Sequence, residues 1–174
     1  FFDCQAFMAY IVMGWLPEVF IDNGVDKMDA GLLVGLTSLI GVPVALVIAP
    51  LAARRTSQSG AIAGLGVLGV AGAIGLMVAP AAQPVLWSVL IGAGMGAFAM
   101  ALTVIALRAR TPTDTAQLSG MAQGLGYLIA GTGPFLFGLL HDVSHGWTVP
   151  WLMFLAVYLV QIAAGVLAGR PHFV

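Results

Sequence analysis

The sequence predicts an all-α membrane protein of six transmembrane helices, and three observations carry that prediction. First, no charged side chain occurs from Thr56 to Leu107. As one helix that run would reach ~78 Å at ~1.5 Å per residue, against a bilayer hydrocarbon core of ~30 Å. It is interrupted at Ala79-Pro80-Ala81-Ala82-Gln83-Pro84, so it holds two spans and a tight turn. Second, hydrophobic residues make up 60% of the chain and charged residues 7%, with a mean hydropathy of +1.04. Soluble domains carry about 25% charge, so no ordinary water-facing surface can be built from this composition. Third, apolar stretches close to the ~20 residues of a membrane span recur along the whole chain.

The first span is expected over about 1–21, with Pro17 marking its frayed end. The polar run Asp22-Asn23-Gly24-Val25-Asp26-Lys27-Met28-Asp29 follows, with turn chemistry at Asn-Gly. The second span covers about 30–53, bent by Pro43 and Pro50, and stops at Arg54-Arg55-Thr56-Ser57-Gln58-Ser59. The third and fourth cover about 60–79 and 84–107. Thr111, Pro112 and Asp114 then read as N-cap, first-turn proline and capping-box acid for a fifth span over about 113–140. A turn at His141-Asp142-Val143-Ser144-His145-Gly146 leads to the sixth, about 147–169, and Arg170-Pro171-His172 closes the chain. The whole of 1–174 reads as a single six-helix bundle. It opens on Phe1-Phe2-Asp3, with no Met and no basic n-region. That is no signal peptide and reads as an entry partway through a helix of a longer protein.

Basic residues set the expected orientation. Arg54, Arg55, Arg108, Arg110 and Arg170 fall at one end of such a bundle, and only Lys27, among Asp22, Asp26 and Asp29, at the other. Both termini are therefore expected in the cytoplasm of a cell whose inner (plasma) membrane holds the protein. Trp15, Trp87, Trp147 and Trp151 sit near the outer ends, where an aromatic belt is expected.

Several function classes are excluded or left without support. Net charge is −1 with no basic or acidic tract, so nucleic acid is not an expected partner. Cys4 is the only cysteine, which rules out an internal disulfide or a cysteine zinc site. His141 and His145 are four apart, but no third metal ligand is placed beside them. No serine elbow, zinc-protease motif or phosphate loop with lysine is present, so neither an enzyme nor a cofactor is expected. Gly64-Leu-Gly66-Val-Leu-Gly69 matches the dinucleotide-binding fingerprint letter by letter, but it lies inside an apolar helix rather than after a strand. With Gly72 and Gly75 it reads as a smooth face for close helix packing. Gly92-Ala-Gly94-Met-Gly96 and the pair Gly120 and Gly124 read the same way. Gly131, Gly133 and Pro134 are expected to kink the fifth span.

Polar groups at depth are costly in lipid and usually face a cavity. The first span offers Asp3, Gln5 and Tyr10, with Asp3 and Glu18 near enough to the boundaries to be solvated. The second offers Thr37 and Ser38, the fourth Thr103, and the sixth Tyr158 and Gln161. The fifth offers Gln123 and Tyr127, four apart and so on one helix face. Spans one and five are therefore the expected cavity lining, and span three the peripheral one.

These residues carry a resemblance. The stretch Leu118-Ser-Gly-Met-Ala-Gln-Gly-Leu-Gly-Tyr127, then Gly133-Pro134, then Gly138-Leu-Leu-His-Asp142 and Gly146-Trp147 resembles the cyanate/nitroimidazole transporters of the major facilitator superfamily, in their C-terminal half. Gln5 with Trp15-Leu16-Pro17 is similar to their seventh helix. Leu51-Ala-Ala-Arg54-Arg55 resembles a degenerate form of the superfamily's inner-loop motif. The resemblance implies one six-helix half of a major facilitator fold. As the C-terminal half of a larger carrier it would contribute to secondary active transport of a small, cyanate-like organic or inorganic anion by alternating access, with no complete substrate site in this chain alone. Its partners would be the lipid bilayer, the solute, and a missing N-terminal six-helix half or a second copy. Gln5, Tyr10, Gln123 and Tyr127 are the expected substrate contacts, and Arg54 and Arg55 the gating residues. A drug or metabolite efflux carrier of the same superfamily and a non-transporting membrane scaffold are the alternatives.

Overall fold

The structure, a computed structural model, describes residues 1–109 and 111–170. Arg110, Pro171 and His172 therefore lie outside the described residues, as does the side chain of Arg108. Among the described residues the chain is helical, without strands, in the order α1 (Phe2–Asp22), α2 (Lys27–Ala53), α3 (Ser59–Val78), α4 (Pro84–Met95), α5 (Ala97–Arg108), α6 (Pro112–Ser144) and α7 (Thr148–Ala168). Taking α4 and α5 as one span, six helical segments are long and apolar enough to cross a membrane. Helices suit this composition because a bilayer offers no water to backbone N–H and C=O groups, and a helix satisfies them internally.

The helix ends follow local chemistry. Asp26 caps α2 by accepting from the Met28 amide at 2.9 Å, so Lys27–Asp29, read from the sequence as loop, form the first helical turn. Gly24, at φ 89°, supplies the left-handed residue that turns the chain between α1 and α2. Thr111 and Asp114 form the expected reciprocal capping box, at 3.0 and 3.1 Å. α6 runs on to Ser144, past the expected end near Leu140, and stops where His145 turns left-handed at φ 52°. α1 passes through Pro17 and α2 through Pro43 and Pro50, so none of these prolines ends its helix.

α1 is the hub. Met8, Ile11, Leu16, Val19 and Phe20 are fully enclosed, and they join Ile91, Phe137, Trp151, Phe154 and Tyr158 in one core. Both ends of the bundle are tied. At the end bearing Asp22, the Trp147 indole donates to the Asp22 carboxylate at 3.2 Å. At the end bearing Arg54 and Arg55, the Gln58 amide donates to the Gly169 carbonyl at 3.0 Å, and the Ser59 hydroxyl donates to the Val166 carbonyl at 2.7 Å.

Glycine decides which helices touch. On α3, a Cβ at Gly66 would overlap Ile162, at Gly69 the Tyr158 hydroxyl, at Gly72 Ile91 and Leu90, and at Gly75 the Trp87 ring. This face therefore seals α3 against α4 and α7. A Cβ at Gly92 would strike the Thr37 carbonyl and one at Gly96 the Val44 side chain, so α4 lies tight on α2. The fourth span, expected as one helix over 84–107, is interrupted at Gly96: α4 stops at Met95 and α5 starts at Ala97. On α6, Gly126, Gly133 and Gly138 admit α1 in the same manner, through Phe2 and Asp3, Phe7, and Trp15.

Three expectations are corrected. Gly120 and Gly124 do not seat another helix of this chain among the described residues. Both are exposed, and a Cβ on either would meet nothing within 4 Å. Trp151 belongs to the core rather than an interfacial belt, at 1% exposure and edge-on to Phe137 and Phe154. Tyr158 and Gln161 face the bundle interior rather than a cavity, both at 0% exposure. A helix with polar residues on its sequence does not say which way they point.

The glycine seam makes a direct prediction. In detergent, Gly69→Val lowers unfolding stability by about 1–3 kcal/mol, the usual cost of overpacking. Gly64→Ala, on the open side of the same helix with nothing within 4 Å, leaves stability unchanged or raises it by up to about 1 kcal/mol through helix propensity. Equal thermal melts for the two variants would refute the seam.

Candidate functional site

The strongest concentration of polar and aromatic groups on an open face joins α1, α2, the α4–α5 junction and α6. Tyr10 on α1 and Tyr127 on α6 stack, with ring centroids 6.3 Å apart and planes within 10°. Both rings stay open, at 39% and 40% exposure, and neither hydroxyl makes a hydrogen bond among the described residues. Phe2 meets Tyr127 edge-on at 5.5 Å, and Phe98 of α5 lies 5.2 Å from Phe2. Phe98 also lines a cleft of about 160 Å³ with Val12, Met13, Thr37, Ser38 and Met95. The aromatic surface thus runs from α6 across α1 into this cleft.

The hydroxyls in the cleft have their protons directed inward along the helix. Thr37 donates to the Leu33 carbonyl at 2.9 Å and Ser38 to the Val34 carbonyl at 3.2 Å. That leaves oxygen lone pairs as the groups they can offer a solute. Gln123 is half-buried one turn before Tyr127, and its amide donates to the Ser119 hydroxyl on the same helix.

Gln5 stands apart from the other three expected contacts. It is 0% exposed, and its amide donates to the Met95 carbonyl at 3.4 Å and approaches the Met95 sulfur at 3.6 Å. Carbonyls in the last turn of a helix lack intrahelical partners, and Gln5 meets this one at the end of α4. It therefore lies behind the cleft wall, supporting Met95, while Tyr10, Gln123 and Tyr127 share the accessible face.

The expected kink residues serve the α1–α6 crossing. A Cβ at Gly133 would come 2.9 Å from the Phe7 carbonyl, and the Trp15 indole donates to the Pro134 carbonyl at 2.8 Å. α6 continues unbroken through Pro134, and Gly131 is exposed without neighbours. Arg54 and Arg55 lie at the far end of α2, both exposed. Gln58, 2% exposed, fixes their turn by donating to the Ala52 carbonyl at 3.2 Å and the Arg55 carbonyl at 2.8 Å.

Sequence reasoning missed Phe2, Phe98, Met95 and Gln58. The first three are apolar residues in an apolar chain and give no contrast. Gln58 stood in a polar run that read simply as a helix end, although a glutamine flanked by Ser57 and Ser59 offers several groups for capping. No cluster of three metal-ligating side chains occurs among the described residues.

Residues 4–172 match the profile described as Major Facilitator Superfamily. The chain belongs to that superfamily. It is 35% identical over 176 residues to the uncharacterized transporter YycB of Bacillus subtilis (strain 168), covering 100% of this chain and 44% of the relative. It is 36% identical over 171 residues to the 2-nitroimidazole transporter of Escherichia coli (strain K12), covering 98% of this chain and 43% of the relative. The cyanate transport protein CynX of the same organism is 29% identical over 141 residues, 80% of this chain and 36% of the relative. No solved structure shows a significant match. The chain thus spans less than half the length of these relatives, and its six spans make it a multi-pass membrane protein with half of a facilitator fold.

The turn at Arg54 and Arg55 separates charge from scaffold. Gln58→Ala removes both side-chain hydrogen bonds that hold the turn and lowers stability by about 1–3 kcal/mol. Arg54→Ala, at an exposed site, changes it by no more than about 0.5 kcal/mol. Thermal unfolding of the two variants in one detergent checks this.

Proposed function

We propose that this chain is one half of a secondary carrier for a small planar solute, an organic or cyanate-like anion, moved across the inner membrane by alternating access. The remaining half lies in sequence outside this chain or in a second copy. The observation that carries this reading is the open Tyr10–Tyr127 stack, whose phenol hydroxyls can donate to a solute. Exposed phenols on an otherwise apolar face are expensive against lipid and useful against a solute-filled cavity. Carriers of this architecture hold substrate near the bilayer midplane, between bundles that rock against each other.

Residue roles divide accordingly. Tyr10 and Tyr127 present flat rings and hydroxyl donors, and Gln123 adds an amide beside them. Gln5 is a positioning residue acting through Met95. The described basic residues Lys27, Arg54, Arg55 and Arg170 all lie at helix ends, so an anion's charge is met by these hydrogen bonds or by the other half. Arg54 and Arg55 form contacts that stabilise one gating state. The excess of arginine at their end supports an orientation with both termini of this chain in the cytoplasm. The aromatic stack also suits a second reading, efflux of a planar aromatic drug or metabolite. The name of the nitroimidazole relative is consistent with that chemistry, and that of the cyanate relative with the first.

Uptake into proteoliposomes holding the full-length protein tests the proposal. Tyr127→Ala raises KM about tenfold, equivalent to about 1.4 kcal/mol of lost aromatic contact, and Tyr127→Phe raises it less. Cyanate and 2-nitroimidazole, offered separately, distinguish the two solute classes. Solute-dependent flux that is absent in the unaltered protein, or unaffected by Tyr127→Ala, would sink the assignment.

A further inference from the structure

A second cleft, remote from the tyrosines, lies where α2 turns into α3. Its volume is about 410 Å³, within the ~300–1,000 Å³ of small-ligand sites. Ile48, Leu51, Gly60 and Ala61 form an apolar wall, and Arg55 and Ser57 stand at its polar edge. The wall is open outward. Leu51 is 54% exposed, and Gly60 is exposed with nothing within 4 Å of a Cβ. Because these residues begin and end membrane spans, the apolar part faces acyl chains while Arg55 sits at the depth of headgroups.

Charge selects the headgroup. No carboxylate lines the cleft, and the segment from Ala53 to Ala61 contains no acidic residue. Arg54 and Arg55 have no ion-pair partner among the described residues. A guanidinium presents a donor fork that matches a phosphate bidentately. A zwitterionic lipid would also bring an ammonium group beside two arginines, with no acid to receive it. The Ser57 hydroxyl is directed to the Gly169 carbonyl at 3.1 Å, so phosphate recognition falls to arginine. The Arg55 backbone is already fixed through its carbonyl by Gln58 at 2.8 Å, so little ordering of the turn is left to binding.

We propose that this cleft is a binding site for an anionic glycerophospholipid, with one acyl chain along Ile48, Leu51 and Gly60 and the phosphate on Arg55, Arg54 adding charge. Ser57 and Ser59 bond the same turn to α7 through Gly169 and Val166. The lipid therefore braces three helices at the arginine end of the bundle, independently of which solute the carrier moves.

Native mass spectrometry of the full-length protein, titrated with phosphatidylglycerol or phosphatidylcholine of identical chains, tests this. The unaltered protein retains the anionic lipid about fivefold better, the effect of about one basic contact at a membrane surface. Arg55→Gln brings the ratio close to one, and Arg55→Lys keeps part of it. Gly60→Leu, at a position where a Cβ meets nothing within 4 Å, occupies part of the cleft and weakens both lipids. Inorganic phosphate does not displace the lipid. Equal retention of the two lipids, an unchanged ratio in Arg55→Gln, or displacement by inorganic phosphate would each overturn the proposal. If Arg55→Gln does not fold, the unaltered protein and Gly60→Leu still decide it.

Discussion

Lipid tails are as apolar as a leucine side chain, so hydrophobicity alone gives two of these helices no reason to meet. What holds the bundle is close approach of backbones, and glycine supplies it. Along α3, four glycines admit Ile162, Tyr158, the Leu90–Ile91 turn and Trp87 in succession. Gly94 of α4 faces Gly69 of α3 across the Tyr158 hydroxyl. Replacing this row with larger side chains would push α3 away from both neighbours at once. The rest of the arrangement follows from that seam: α4 is fixed between α3 and α2, its path breaks at Gly96, and the Met95 carbonyl is left for Gln5.

Sealing one side leaves the other open. Gly31, Gly35, Gly120, Gly124 and Gly131 meet nothing within 4 Å, and they lie on α2 and α6. α2 is the least buried of the six spans. The paired tyrosines occupy this open side, between α1 and α6, with α1 held against α6 by Trp15 at Pro134 and by Phe7 at Gly133. The aromatic pair is thus mounted on a helix crossing fixed by a hydrogen bond and by a glycine contact. The arginine turn at the far end is equally fixed, through Gln58 and the serines on either side of it.

Much of this was legible in the sequence, and the limits are physical. Hydropathy located all six spans because a charge-free stretch has no other stable home. The capping box at Thr111 and Asp114 was legible because it depends on neighbours in the chain. The packing role of Gly66 to Gly75 was legible from their spacing. Direction was not. Gln5 and Tyr10 look alike as polar groups at depth, yet one is sealed behind Met95 and the other lies open, since the outcome depends on where α4 ends. Gly92–Gly96 and Gly120–Gly124 have equal claims as sequence, but only the first pair has a helix to meet. Phe2 and Phe98 gave no signal, because an aromatic residue in an apolar chain does not announce what it stacks on.

On this reading the face carrying Tyr127 is lined by water and the outer side of α3 by lipid. Single cysteines at positions 127 and 68, in full-length protein with Cys4 replaced by serine, test it directly. Tyr127 and Leu68 are exposed to the same degree, 40% each, so accessibility alone does not separate them. A membrane-impermeant, water-soluble maleimide is expected to label position 127 in intact proteoliposomes and to leave position 68 unlabelled. Labelling of position 68 with position 127 unreactive would contradict it.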